Sequence, residues 1–248
     1  MIFRQLRVPI IGAVACLALV ACHRHHHFHW EHLSATNPVP RMESWWQQKF
    51  NAHRALAAEH GKEFQLIFIG DSITELMENA HDTMKRLWGP YHPQEFGISG
   101  DMTEHVLWRV RSGELDGVTP KLAVLLIGTN NFGDNSDAEI VQGIRLIVSE
   151  LRTRMPDTKI VVLGLLPRGA MPDNPYRKRV AGVNALLSAP DGIADGKHVF
   201  YLDIGNAFLQ PGGVMNMPMM PDQLHPSPPG YDAMFNAMKP TVDKLLTE

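Results

Sequence analysis

Cysteine is almost absent from this chain of 248 residues. There are two, Cys16 and Cys22, and none follows. The body of the chain therefore has no disulfide, no cysteine nucleophile and no thiolate metal site. A surplus of charge is also lacking. The formal net charge is −3 and no long basic run follows the first residues, so nothing marks a nucleic-acid partner. No phosphate loop of the form G-x-x-x-x-G-K-[ST] occurs, no G-x-G-x-x-G follows the first apolar strand, and H-E-x-x-H is missing. The G-x-S-x-G elbow is missing as well, since Ser72 lies between Asp71 and Ile73. No internal repeat and no second domain are evident.

What is present begins at the N-terminus. Arg4 and Arg7 precede the apolar stretch "VPIIGAVACLALVA", residues 8–21. It falls short of the roughly 20 residues of a bilayer-spanning helix and ends in small residues, as secretory signals do. Its last residues and the next, Leu19-Val20-Ala21-Cys22, resemble the lipobox of bacterial lipoproteins. The expectation is a signal peptide over residues 1–21, a lipid on Cys22 and a membrane anchor in the bacterial cell envelope, on the periplasmic side or at the outer membrane. A plain signal peptide with a chance cysteine is the alternative. "HRHHHFHWEH" follows, residues 23–32, with six of the thirteen histidines. It reads as a flexible biased linker or as a weak metal-binding tether. With the proline-containing "SATNPVP" it forms an expected spacer, so residues 22–40 are linker and 41–248 the folded domain.

From Arg41 onward, helix-like and strand-like patterns alternate. Helices are expected over "MESWWQQKFNAHRALAAEHG", "MTEHVLWRVRSG", "DAEIVQGIRLIVSELRTRMP", "PYRKRVAGVNALLSA" and "GYDAMFNAMKPTVDKLLTE", the last with Pro240 inside it. Strands are expected over "FQLIFIG", "HPQEFGIS", "KLAVLLIG", "TKIVVLGLLP" and "HVFYLDI". Near-continuous apolar strands separated by helices imply an α/β fold: a three-layer sandwich with a central, mainly parallel five-stranded sheet and helices on both faces. In such a sheet the site lies beyond the carboxyl ends of the strands. That rule selects Gly70-Asp71-Ser72, Ser99-Gly100-Asp101, Gly128-Thr129-Asn130-Asn131, Pro167-Arg168-Gly169 and whatever follows Asp203.

Ser72 admits two readings. Ser72-Ile73-Thr74-Glu75 has the spacing of a helix capping box. Ser72 is equally placed to be a nucleophile on a strand-to-helix turn. A hydroxyl nucleophile needs a base, and "PDQLHP" supplies Asp222 and His225 three residues apart, the carboxylate able to orient the imidazole. A surface Asp and His in a proline-rich loop would look the same. The methionine-rich "GGVMNMPMMPD" that leads into this pair is either an apolar leaving-group wall or a packed loop.

Taken together, "GDS", "SGD", "GTNN" and "DQLH" occur in the order of the SGNH hydrolases, or GDSL esterases. "FGISGDMTEHVLWRVRSGELDG", "LIGTNNFGD", "IVVLGLLPRG" and "LHPSPPGY" are similar to the catalytic subunits of platelet-activating factor acetylhydrolase and related bacterial esterases. The similarity runs from about Met42 to the C-terminus. It implies a flavodoxin-like SGNH hydrolase fold and a serine esterase for short-chain, acetyl-type esters. Ser72, His225 and Asp222 would be the triad, and the Ser72 N–H, the Gly100 N–H and the Asn130 amide the oxyanion hole. It implies no metal and no organic cofactor. The expected partner is a small ester, an acetylated sugar or a lipid. A lysophospholipase, thioesterase or acyltransferase on the same site is the alternative, and a non-enzymatic binding lipoprotein a more distant one. Asn131 follows the block-three Asn as in that branch, whereas Ser99 and Glu95 depart from its Gly and Asn, which leaves the acyl pocket's shape open. Asp71, Asp101, Trp108, Arg109 and Arg168 read as structural.

Overall fold

The computed structural model describes residues 34–248. The expected signal peptide, the lipidated Cys22 and the histidine-rich residues 23–32 lie outside the described residues. Residues 34–40, read from sequence as the end of a spacer, are docked on the domain. Ala35 is fully buried, and its carbonyl accepts a hydrogen bond from Thr103 Oγ1 at 2.9 Å. Gly143 makes that approach possible, because a Cβ there would lie 2.4 Å from the Ala35 oxygen.

Five strands form one parallel sheet: β1 (Leu66–Gly70), β2 (Pro93–Gly97), β3 (Leu122–Leu126), β4 (Lys159–Leu163) and β5 (Val199–Leu202), in the order β2-β1-β3-β4-β5. Every residue of β1 and β3 is buried, which is why their sequences are apolar runs rather than alternations. The edge strands β2 and β5 are only partly covered.

The connections run one way from β1 to β2 and the other way from β2 onward to β5. Crossovers of one hand then place helices on opposite faces. The packing agrees. α4 (Thr103–Arg111) packs on α5 (Asp137–Arg154) and α5 on α6 (Pro175–Ser188), while α3 (His81–Trp88) packs on α7 (Pro228–Thr247). α1 (Ser44–His60) lies against α4, with Trp46 and Phe50 on the Trp108 ring. α7 continues through Pro240. α3 is the one helix the sequence pattern does not announce. It has eight residues and buries only Met84 and Trp88, so packing rather than periodicity secures it. Trp88 meets Phe68 and Phe235, and its Nε1 donates to Asp243 at 3.0 Å.

The loops that carry Ser72, Gly100 and Asn130 converge because of the strand register. Gly70, Gly97 and Leu126 stand side by side at the sheet's carboxyl end. α2 (Ser72–Glu75) follows β1 directly and presses on β2, where a Cβ on Gly97 would lie 2.2 Å from the Glu75 nitrogen. Beneath these loops Arg109 is wholly buried. Its Nε donates to Asp101 Oδ2 at 2.7 Å, Nη2 to the Gly70 carbonyl at 3.0 Å, and Nη1 to the Phe96 carbonyl at 3.2 Å and to Glu114. Asp101 also accepts from Trp46 Nε1 at 2.6 Å, and Glu114 bonds His53 Nδ1 at 2.8 Å, so α1 joins the same network. Burial pushes Asp101 up to about 6, with Arg109 opposing, so it remains a carboxylate at neutral pH. Burial acts to raise Glu114 as well, but the Arg109 charge and the His53 bond hold it below the usual range.

Removing one partner of a buried ion network leaves the others uncompensated. Arg109→Met should lower the unfolding free energy by about 3–5 kcal/mol, read by chemical denaturation. A loss under about 1 kcal/mol would mean that the two carboxylates find other donors.

Candidate active site

Ser72 is the first residue of α2, two residues beyond β1, and is 9% exposed. It does not cap the helix, contrary to one reading of its sequence. Asp71 is the N-cap, its Oδ1 accepting from Ile73 N at 3.0 Å. Glu75 does not reach back either. Its carboxylate accepts from the Ser99 N–H at 2.6 Å and from the Ser99 hydroxyl, and pairs with Lys49. The capping-box spacing is real, but Asp71 has already satisfied the donor. Glu75 is thereby free to clamp the loop that carries Gly100, and Ser99, where the resembling family has Gly, supplies its hydroxyl to that clamp. Burial would raise Glu75, yet the Lys49 and Ser99 bonds bring it below the ordinary carboxylate range.

The Ser72 Oγ lies 2.8 Å from His225 Nε2, across 153 residues of sequence. His225 Nδ1 lies 2.6 Å from Asp222 Oδ2. An ionised carboxylate only accepts, so Nδ1 carries the proton and Nε2 is left to accept from the serine. Asp222 Oδ1 meanwhile takes the backbone N–H of Leu224 at 3.0 Å and of His225 at 2.7 Å. One aspartate thus folds the turn and orients the ring, with Gln223 at φ 66 completing it. Burial works to raise Asp222, but the bonds from His225 and Leu224 outweigh it and hold its pKa below the usual value. The turn is fixed from both sides. Gln223 accepts from Gly169 N and Ala170 N, and Ser227 caps α7 through Gly230 N.

Gly100 has φ 77, in the left-handed region, and Arg41 covers it. A Cβ there would lie 2.7 Å from Arg41 Nη1, which donates to the Ser99 carbonyl at 2.9 Å. Asn130 Nδ2 donates to the Asp101 carbonyl at 2.8 Å, which leaves its second amide hydrogen free of that bond. Among the described residues the N–H groups of Ser72 and Gly100 donate to no protein acceptor. Asn131 is buried and accepts from Thr103 N at 3.0 Å, a structural role. Arg168 stacks 4.2 Å over Tyr176 and donates to the Thr129 carbonyl, steadying the Asn130 turn. Of the methionine-rich loop, Met215 and Met220 are packed into the core and Met217 is exposed.

Two residues that hold α2 are not marked by any sequence motif. Tyr231, buried in α7, donates from its hydroxyl to the Ile73 carbonyl at 2.8 Å and so ties α2 to the helix that follows the His225 turn. Only its place in the first turn after "LHPSPPG" hinted at this. Lys49 belongs to α1, far from any motif. Among the described residues no three His, Cys, Asp or Glu side chains gather into a metal-ligating group.

Comparison with known proteins gives a consistent picture. The model of the GDSL-like lipase/acylhydrolase family matches residues 68–233. The alpha1 subunit of platelet-activating factor acetylhydrolase IB from Bos taurus is 39% identical over 79% of this chain and 82% of its own length. The alpha2 subunit from Rattus norvegicus is 40% identical over 75% and 80%. Among solved structures, a GDSL-like lipase from Bacteroides thetaiotaomicron covers 79% of this chain and 98% of its own, with TM-score 0.59 and 22% identity, and so shares the fold.

Asp71 has a pH signature. Its Oδ2 is buried without a partner, and burial raises its pKa to about 7. A raised folded-state pKa means stability that is present below the unfolded value, about 4, and lost as pH rises through about 7. Asp71→Asn keeps the cap acceptor and cannot ionise. Its stability relative to wild type should therefore rise between pH 4 and pH 7, measured by urea denaturation at each pH. Parallel curves would mean that Asp71 is ionised throughout.

Proposed function

We infer that this chain, which belongs to the GDSL-like lipase/acylhydrolase family and is a carboxylic ester hydrolase, removes short acyl groups, acetyl foremost, by nucleophilic catalysis at Ser72. The observation that carries this reading is the continuous relay Ser72–His225–Asp222, at 2.8 Å and 2.6 Å. The acetyl preference rests on the likeness to proteins named acetylhydrolases.

In the proposed reaction Ser72 Oγ attacks the ester carbonyl while His225 Nε2 takes its proton. Asp222 stabilises the imidazolium and keeps Nδ1 as the protonated nitrogen. The carbonyl oxygen becomes an oxyanion, met by the Ser72 and Gly100 N–H groups and the free hydrogen of the Asn130 amide. A preorganised donor of this kind contributes about 3 kcal/mol. The tetrahedral intermediate collapses, His225 returns the proton to the departing alcohol, and an acyl-serine remains. Water activated by the same imidazole attacks it, releasing the acid and restoring Ser72. Arg41, Glu75 and Ser99 support this scheme as positioning residues, because they hold the Gly100 loop from outside.

The leaving group is proposed to be a sugar or lipid alcohol met at a membrane. Leu19-Val20-Ala21-Cys22 supports an anchor through lipid on Cys22, in a bacterial cell envelope.

A chain-length series of p-nitrophenyl esters tests the chemistry. Acetate should be turned over fastest, and Ser72→Ala should lose about a thousandfold or more in kcat. Undiminished turnover by Ser72→Ala would sink the mechanism. Preference for octanoate over acetate would replace the acetyl reading with a lipid acyl one. The anchor has its own check: wild type expressed in a bacterium should incorporate a clickable fatty acid and Cys22→Ala should not, whereas equal labelling would refute it.

A further inference from the structure

A cleft of about 610 Å³ lies beside the edge strand β5, and none of Ser72, Gly100, Asn130, Asp222 and His225 lines it. One wall is a helical stripe of α6 (Arg177, Val180, Ala181, Asn184, Ala185 and Ser188) at spacings of three and four. Small residues on that stripe keep α6 from filling the space. Leu165, Pro167, Pro172 and Leu209 face it, so the lining is mainly apolar. The volume is that of a small-molecule site.

The one cation in this cleft has no ion-pair partner among the described residues. Arg177 donates to the Gly213 carbonyl through Nη2, but its Nε is buried without a partner, and it forms no ion pair among the described residues. Burial lowers its pKa, with no acidic group opposing. Asp203 lines the same cleft yet is turned to Gly205 N at 2.8 Å and Asn184 Nδ2 at 3.4 Å. The Tyr201 hydroxyl, raised by burial and by Asp203, remains a neutral donor there. The guanidinium stays charged and is only partly buried, so what the cleft leaves unsatisfied is one donor, the Nε–H. The edge formed by Nε–H and a neighbouring Nη–H matches the two oxygens of a carboxylate.

We propose that this cleft is a second ligand site, separate from the serine site, for an amphiphilic carboxylate: its head on Arg177 and its alkyl body along the α6 stripe. The assignment does not depend on the hydrolase reading. The cleft's walls ask for an apolar body, and its single unpaired cation asks for one negative charge.

Decanoate and decanol are the probes, titrated calorimetrically into the full chain. Wild type should bind one decanoate at the cleft, about tenfold tighter than decanol. Arg177→Gln should weaken decanoate about tenfold and leave decanol unchanged. Ala181→Phe, which fills the cleft, should weaken both. Both variants should turn over p-nitrophenyl acetate as wild type does, which reports that they fold and that the serine site is intact. In the wild-type chain, nuclear Overhauser contacts from the decanoate chain should reach the Ala181 and Ala185 methyls. A silent titration, equal affinity for acid and alcohol, or contacts confined to Ile73 and Leu224 beside the serine would overturn the proposal.

Discussion

The loops of this protein depend on one buried cation. Arg109 arises from α4, which follows the Gly100 loop, and its guanidinium reaches the carbonyls that end β1 and β2 as well as Asp101 and Glu114. Those carbonyls lie where two parallel strands stop, and the one on Gly70 also takes the Ile98 N–H at 3.3 Å. A planar fork with five donors can serve four acceptors at once, which a lysine cannot. The cost of burying the charge is offset by two carboxylates, and these recruit Trp46 and His53 of α1. The network therefore couples the first helix, two strand ends and the Gly100 loop in one place. The ends of β1 and β2 are held from below, and the serine is presented above them.

A second constraint acts within one turn of helix. Asp71 caps it, Ser72 faces His225, and Glu75 grips the neighbouring loop. Each of these side chains is drawn to a different partner, and the separation matters. A serine engaged with its own backbone would have its hydroxyl hydrogen or lone pairs committed elsewhere. By giving the cap to Asp71, the fold leaves Ser72 Oγ to the imidazole. Tyr231 completes the arrangement from α7, the helix that begins just after His225, so base and nucleophile are referenced to each other twice: by their own hydrogen bond and by the Tyr231–Ile73 bond.

The sheet and the proposed catalytic set were both legible in the amino-acid sequence, for reasons that can be named. Strands such as "LIFIG" and "LAVLL" are apolar on both faces because helices cover both, and that pattern is local. Ser72, Gly100, Asn130, Asp222 and His225 stand in short polar segments at strand ends or before the last helix, where solvent-facing loops carry chemistry. α3 was not legible, since Met84 and Trp88, one turn apart, are too few to mark a helix of eight residues. The docking of Ala35 was not legible either, because a proline-bearing segment resembles a spacer until something receives it.

What the sequence determined alone is the alternation of elements, the absence of thiol chemistry after residue 22, and the identity of the groups available for ester chemistry. What only the tertiary structure decided is which partner each group takes. Ser72-x-x-Glu75 is compatible with a reciprocal cap, and Arg177 with an ordinary helix surface. The first is resolved by Asp71 and Ser99, the second by a cleft that leaves Nε without an acceptor. Spacing along a chain limits which groups can meet. The choice among them is made by competition for hydrogen bonds in three dimensions, where groups distant in sequence, such as Ser72 and His225, become nearest neighbours.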